Sequence, residues 1–246
     1  MKVSIIIPTY NNLELLRNAL SYIQAQTYRD YEIIVVDDST NNDISNYLLN
    51  CRDVRYYHNI PSLGAVRNWN YGLSLANGEY VILHHHDEFI EDLDHLRVIV
   101  NILDKYDVVI SNIKICIDKK EQKLPVPLIV KKFFLKMPSM LLFNNVIGPC
   151  ACVAFKKKYY VYLDQELTWK VDSEWYYRLL RNKRVFYLRN YYICSKHGHK
   201  LQITQNINIK EHFSSDILYL KNKYKSNKHI IFLLNLSTFF NKIRNK

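Results

Sequence analysis

The chain opens on an apolar run, VSIIIPTYN (Val3 to Asn11), punctuated only by Pro8 near its end. A β-branched run without a polar face needs cover on both sides, which predicts a central strand of a parallel sheet. Leu13, Leu16, Leu20 and Ile23 then recur at helical spacing behind Asn11 and Asn12, which offer an N-cap. A second buried run, EIIVVDDS (Glu32 to Ser39), completes one β-α-β unit. The alternation continues with a helix from Asp43 to Asn50, a strand VRYYH (Val54 to His58), a helix from Ala65 to Ala76 and a strand YVILHHHD (Tyr80 to Asp87). Leu93, Leu96, Val100 and Leu103 mark a further helix, and VVISNIKI (Val108 to Ile115) a further strand. This rhythm predicts an α/β fold: a mostly parallel central sheet with helices on both faces, Rossmann-like in its layering.

Beyond this point the pattern loosens. Residues 119–148 hold Pro125, Pro127 and Pro138 among lysines and apolar positions, which suggests a long, partly irregular connection able to shape an acceptor site. A strand near Cys150 to Phe155, a helix from Asp172 to Leu180 and a strand from Val185 to Tyr192 close the domain. From about Glu211 apolar residues mix with Lys221, Lys223, Lys225, Lys228 and Lys242, a basic amphipathic helical stretch. It either packs on the domain or lies on an anionic membrane surface. The expected organisation is one domain over 1–205 and a helical extension over 206–246.

Charge and cysteine content narrow the class. A net charge of +11 suggests an anionic partner, but the lysines form no single nucleic-acid stripe; on charge alone a phosphate-bearing ligand or an anionic membrane surface fits as well as RNA, and no nucleic-acid partner is expected. The five cysteines have no CxxC pair and follow no secretory signal, which points to neither a disulfide framework nor a zinc ribbon and makes a reducing cytoplasm the expected setting. No run of apolar residues is long enough to span a bilayer.

In an open α/β sheet the ligand crevice lies beyond the carboxyl ends of the strands, and that is where the polar clusters fall. Asp37 and Asp38 end an otherwise apolar strand, where they can accept from a base N–H or a ribose hydroxyl, or cap the next helix. Asp87 closes His84-His85-His86-Asp87 and offers oxygen to a hard divalent cation; His86 is a further ligand, and strand alternation puts it on the side of His84. Asp172, in KVDSEWYYRLL, opens a helix either as a cap or as a general base, with Glu174 the alternative base. Arg67, His197 and His199 can each donate charge-assisted hydrogen bonds to phosphate oxygens.

The order of these segments resembles the family 2 inverting glycosyltransferases: VSIIIPTYNN, then QTYRDYEIIVVDDS, an Arg-Asn helix before NGEYV, an acidic-ended strand, an Asp-plus-Arg helix and a late HxxQxT at His199, Gln202 and Thr204. The resemblance runs over residues 1 to 205 and implies a glycosyltransferase A fold, a nucleotide-sugar donor that is usually a UDP sugar, and Mn or Mg. By position it implies that Pro8, Thr9 and Tyr10 line the donor nucleotide and Asp38, with Asp37 beside it, meets the base, that Asp87 and His199 meet the metal, and that Asp172 is the catalytic base; Arg67 and His86 join the expected donor-binding set from their own chemistry. It divides the domain into a donor half (1–118) and an acceptor half (119–205). With the C-terminal charge it implies surface-polysaccharide assembly at the inner face of a membrane, on a glycan or undecaprenyl-diphosphate-linked acceptor. The chain departs from the family by carrying histidines where relatives have Asp-x-Asp-Asp, and valine rather than glutamate before Asp172. The rival readings are a non-catalytic nucleotide-binding subunit with a decayed metal site and a nucleotidyltransferase; the second lacks a glycine-rich phosphate loop.

Overall fold

The computed structural model describes residues 1–117, 120–123, 126–198 and 208–244, which excludes His199, Gln202 and Thr204. The chain divides into two compact units, each built from three stretches of sequence.

The first unit spans 1–125, 147–160 and 183–202. Its strands in chain order are β1 (Val3–Thr9), β2 (Tyr31–Asp37), β3 (Val54–His58), β4 (Tyr80–Leu83), β5 (Glu88–Ile90), β6 (Val108–Ile117), β7 (Lys120–Lys123), β8 (Val153–Lys156) and β9 (Val185–Lys196). They make a single sheet in the order β3-β2-β1-β4-β8-β6-β9-β5, with β7 pairing β6. The first four are parallel, as the alternation of strands and helices predicts, and every residue of β1 is buried. β8 then runs antiparallel to both β4 and β6, β9 runs parallel to β6, and β5 antiparallel to β9, so the sheet is mixed beyond β4.

Helices α1 (Leu13–Gln24), α2 (Asp43–Leu48), α3 (Ala65–Ser74) and α4 (His95–Leu103) fill the crossovers. Asn12 caps α1 as its position suggests, accepting the Leu15 N–H at 3.1 Å, and Leu15, Leu16, Ala19, Leu20 and Ile23 form the buried stripe. Ser4 is a polar position inside a fully buried strand, and it is matched: its hydroxyl donates to Glu32 at 2.5 Å and accepts the Gly78 N–H at 2.7 Å. Arg55 neutralises the same Glu32 at 2.5 Å, a pairing that keeps a buried carboxylate tolerable. Cys116 and Cys194 are joined in a disulfide, which the sequence spacing did not suggest; they lie on neighbouring strands β6 and β9 although 78 residues apart.

The second unit spans 126–146, 161–182 and 203–246 and, among the described residues, is helical: α5 (Leu128–Lys136), α6 (Met140–Phe143), α7 (Val171–Leu180), α8 (Ile209–Lys223) and α9 (Lys228–Arg244). The segment expected to be irregular therefore carries α5 and α6. α8 and α9 belong to this unit and bury Phe213, Ile217, Leu220, Ile230, Leu233 and Leu234. No helix of the described residues is long and apolar enough to cross a membrane.

Candidate active site

In register, Thr9 faces Asp37 across β1 and β2, and beyond Leu83 the His84 N–H continues the ladder by donating to Ile6 at 2.8 Å. The carboxyl ends of β1, β2 and β4 thus form one rim, the place where open α/β sheets take ligands. Pro8 is buried in the strand, and Tyr10 projects past its end with 43 % of its surface exposed.

His86 reaches this rim: its Nδ1 lies 3.1 Å from the Thr9 hydroxyl. β4 ends at Leu83, so the alternation that would have put His84 beside His86 stops there. His84 instead turns into the interior, where burial pushes its pKa down to about 4 and keeps it neutral. Asp87 follows on the half-buried loop, anchored by its carbonyl, which accepts the Lys196 N–H at 2.8 Å. Two residues that the sequence pattern did not single out fix this loop. Buried Glu88, whose pKa is raised by that burial, accepts the His85 N–H at 2.9 Å, and Trp69 of α3 lies against the His85 ring at 4.7 Å.

The paired aspartates are both committed to protein donors. Asp37 accepts the Ser39 N–H at 2.9 Å and the Tyr56 hydroxyl at 2.8 Å. Asp38 accepts from Asn59 Nδ2 at 3.0 Å, Ser62 at 2.7 Å, the Leu63 N–H at 2.8 Å and the Gly64 N–H at 2.7 Å. Four donors fill the roughly four lone-pair sites of a carboxylate, so a nucleobase N–H reaches Asp38 only by displacing one of them. Gly64 is the N-cap of α3 at φ 83°, a left-handed value that suits glycine, and its bond to Asp38 sets a negative charge at the positive end of that helix. Asn68 completes the arrangement, donating to Val36 O at 3.0 Å and accepting from Asn59 at 2.8 Å. Arg67 stands exposed in the first turn of α3.

The second unit holds the candidate base. Asp172 is half-buried in the first turn of α7, with Lys170 as N-cap. The alternative, Glu174, is closed to that role: fully buried, it is gripped by Arg178 through both oxygens at 2.7 Å, by Lys223 at 2.7 Å and by the Tyr224 hydroxyl at 2.7 Å. Burial alone raises a carboxyl pKa, but these partners outweigh it and hold Glu174 below its usual range. Arg178, read from the sequence as the companion of Asp172, is the main partner of Glu174.

For a metal, the loop after β4 offers the Asp87 carboxylate and the His86 imidazole, while Asp37 and Asp38 of the same rim are engaged by protein donors and His199 lies outside the described residues. The described cluster of three metal-capable groups is elsewhere, at Glu91, Cys116 and Cys194, and its sulfurs are already joined. So short a protein donor set at Asp87 fits a cation that takes most of its oxygens from a bound diphosphate, not one enclosed by protein.

Comparisons with known proteins bear on the fold and the family. An uncharacterized glycosyltransferase of Rickettsia typhi is 29 % identical over 194 residues, covering 75 % of this chain and 60 % of its own length. A Campylobacter jejuni GalNAc(5)-diNAcBac-PP-undecaprenol beta-1,3-glucosyltransferase is 36 % identical over 100 residues, covering 39 % of this chain and 30 % of its own. The chain thus spans less than two thirds of each of these relatives. Staphylococcus aureus TarS residues 1–349, solved with UDP-GlcNAc, superposes with a TM-score of 0.68 at 20 % identity over 89 % of this chain and 65 % of that one. A Pyrobaculum calidifontis mannosyltransferase with GDP-Man and Mn2+ gives 0.65 at 17 % identity over 96 % and 73 %. The fold is that of the glycosyltransferase A group. Residues 4–163 match the family described as Glycosyl transferase family 2, well over half of the chain, and the protein belongs to that family.

Proposed function

We propose that the chain is an inverting glycosyltransferase that moves a sugar from a UDP sugar to a hydroxyl of a glycan or undecaprenyl-diphosphate-linked sugar during surface-polysaccharide assembly. The observation that carries this reading is the gathering of Thr9, His86 and Asp87 with Asp37 and Asp38 at the carboxyl ends of β1, β2 and β4 in a family 2 chain. The Campylobacter relative named for an undecaprenol-linked substrate and the Escherichia coli relative named for colanic acid biosynthesis support the acceptor class.

Within this reading Pro8, Thr9 and Tyr10 line the nucleotide, and exposed Arg67 donates to its phosphates. Asp172 takes the acceptor hydroxyl's proton as that oxygen attacks the anomeric carbon opposite the leaving diphosphate, which inverts the centre. Asp87, with His86 and His199, is the set that holds Mn or Mg, and the cation when bound supplies neutralising charge to the diphosphate.

Replacing Asp172 with Asn removes the base but keeps the shape of the side chain. Turnover of UDP sugar onto acceptor should fall roughly 100-fold or more, the usual contribution of a general base, while UDP binding by calorimetry stays within about twofold. Full turnover by the variant would move the base to another residue.

A further inference from the structure

Helix α5 reads LIVKKFFLK and turns Lys131, Phe134 and Leu135 inward. Its outer side leaves Ile129 79 %, Phe133 48 %, Met137 (the C-cap) 40 % and Val130 37 % exposed. At 3.6 residues per turn these four share one arc of roughly 100°. Exposed Lys132 and Lys136 run along one border of that arc, and the helix contains no acidic residue. Singly exposed apolar residues are ordinary on a protein surface; four on one helix face mark an interaction surface.

A second helix of the same unit continues the pattern. Just past α5, the Ser139 hydroxyl meets the His229 imidazole at 3.1 Å, which brings the first turn of α9 beside the end of α5. α9 buries Ile230, Leu233 and Leu234 and leaves Phe232 61 % and Phe239 60 % exposed, seven residues apart and so on one side. Its sequence, Lys228 to Arg244, is also free of acid.

The charge pattern chooses the occupant. An apolar groove on a protein partner has no need of flanking cations or of a face without carboxylates. An anionic bilayer answers both, with aromatic and aliphatic groups at the acyl boundary and lysines among the headgroups. We propose that the face centred on Ile129 and Phe133 of α5, extended by Phe232 and Phe239 of α9, docks this protein on an anionic lipid surface. This places the contact on α5 and α9 and away from α8, which carries Glu211 and exposes Ile209 and Leu218 on opposite sides of the helix.

Cosedimentation of the full chain with phosphatidylglycerol–phosphatidylcholine vesicles, against phosphatidylcholine alone, tests the docking. The wild type should bind the anionic vesicles preferentially. Ile129→Asp/Phe133→Asp should weaken binding about tenfold or more with an unchanged melting temperature, since both residues are exposed. Lys132→Gln/Lys136→Gln, which leaves every apolar contact intact, should cut binding to the anionic vesicles by roughly fivefold per lysine. Equal binding by both double variants and the wild type overturns the proposal, as does a wild type that ignores both vesicles. A wild-type dimer in light scattering that the aspartate variant dissolves would assign the face to a second copy and overturn it too. Sugar transfer is no part of the readout, so either failure leaves the catalytic reading untouched.

Discussion

Lys170 is a cation with almost no water: 5 % exposed, it donates to Leu142 O at 2.8 Å and to the Ser237 hydroxyl at 3.3 Å. Its own N–H, with those of Thr168 and Trp169, converges on buried Asp216. Burial lowers the Lys170 pKa to about 8, only partly opposed by the Asp216 charge. Because the unfolded lysine keeps its proton up to about 10.5, the unfolded chain binds more protons between these values, and folding stability rises with pH across that window. Measured by urea unfolding, the wild type should therefore gain on the order of 2 kcal/mol over Lys170→Met between pH 7.5 and pH 10; a constant difference would mean the amine is hydrated. Nothing in the sequence marks this pair, because Lys170 and Asp216 meet across 46 residues. Asp38 teaches the same lesson from the other side. Its residue type and its place at a strand end were legible, whereas the four donors that fill its carboxylate come from a loop 21 to 26 residues downstream.

Among the elements, legibility followed the strength of the period. β1 and β2 fall where their β-branched runs put them, β3 where VRYYH follows the second helix, and α1 where its cap and stripe begin. β5 escaped because three residues are too few to show a period, and α5 because buried Lys131 breaks the apolar stripe between Pro127 and Pro138. The NGEYV turn was legible as a motif, but its reason is structural. A Cβ on Gly78 would stand 2.6 Å from the Ser4 nitrogen and 2.7 Å from the Val3 carbonyl carbon, backbone atoms of β1 that have no rotamer to yield. Gly78→Ala should lower stability by about 1–3 kcal/mol, the usual penalty of overpacking, seen as an earlier urea midpoint at unchanged slope. An unshifted midpoint would mean that β1 and the turn before β4 are free to part.

For the molecule as a whole, donor binding is the property that a thermal scan reads directly. A UDP sugar with Mn at 100 times its Kd should add about 2.7 kcal/mol to the stability of the bound fold, and omitting Mn should remove part of the shift if Asp87 and His86 share the cation. No shift with any UDP, GDP or dTDP sugar would favour a site that no longer binds donor. The sequence conveyed the parallel strands β1 to β4 well, because each is joined to the next by a helix whose period is legible, and conveyed the rest of the sheet poorly. β9 is inserted between β6 and β5, and β5 pairs with no other strand among those described. A ribosome makes β5 and the His84–Asp87 loop about a hundred residues before it makes their partner, the 193–195 segment of β9. Until that segment emerges the nascent chain holds an unpaired strand beside the candidate donor-binding residues, so the rim is completed late in synthesis, and a product ending at residue 163 carries the family signature without the strand that supports it.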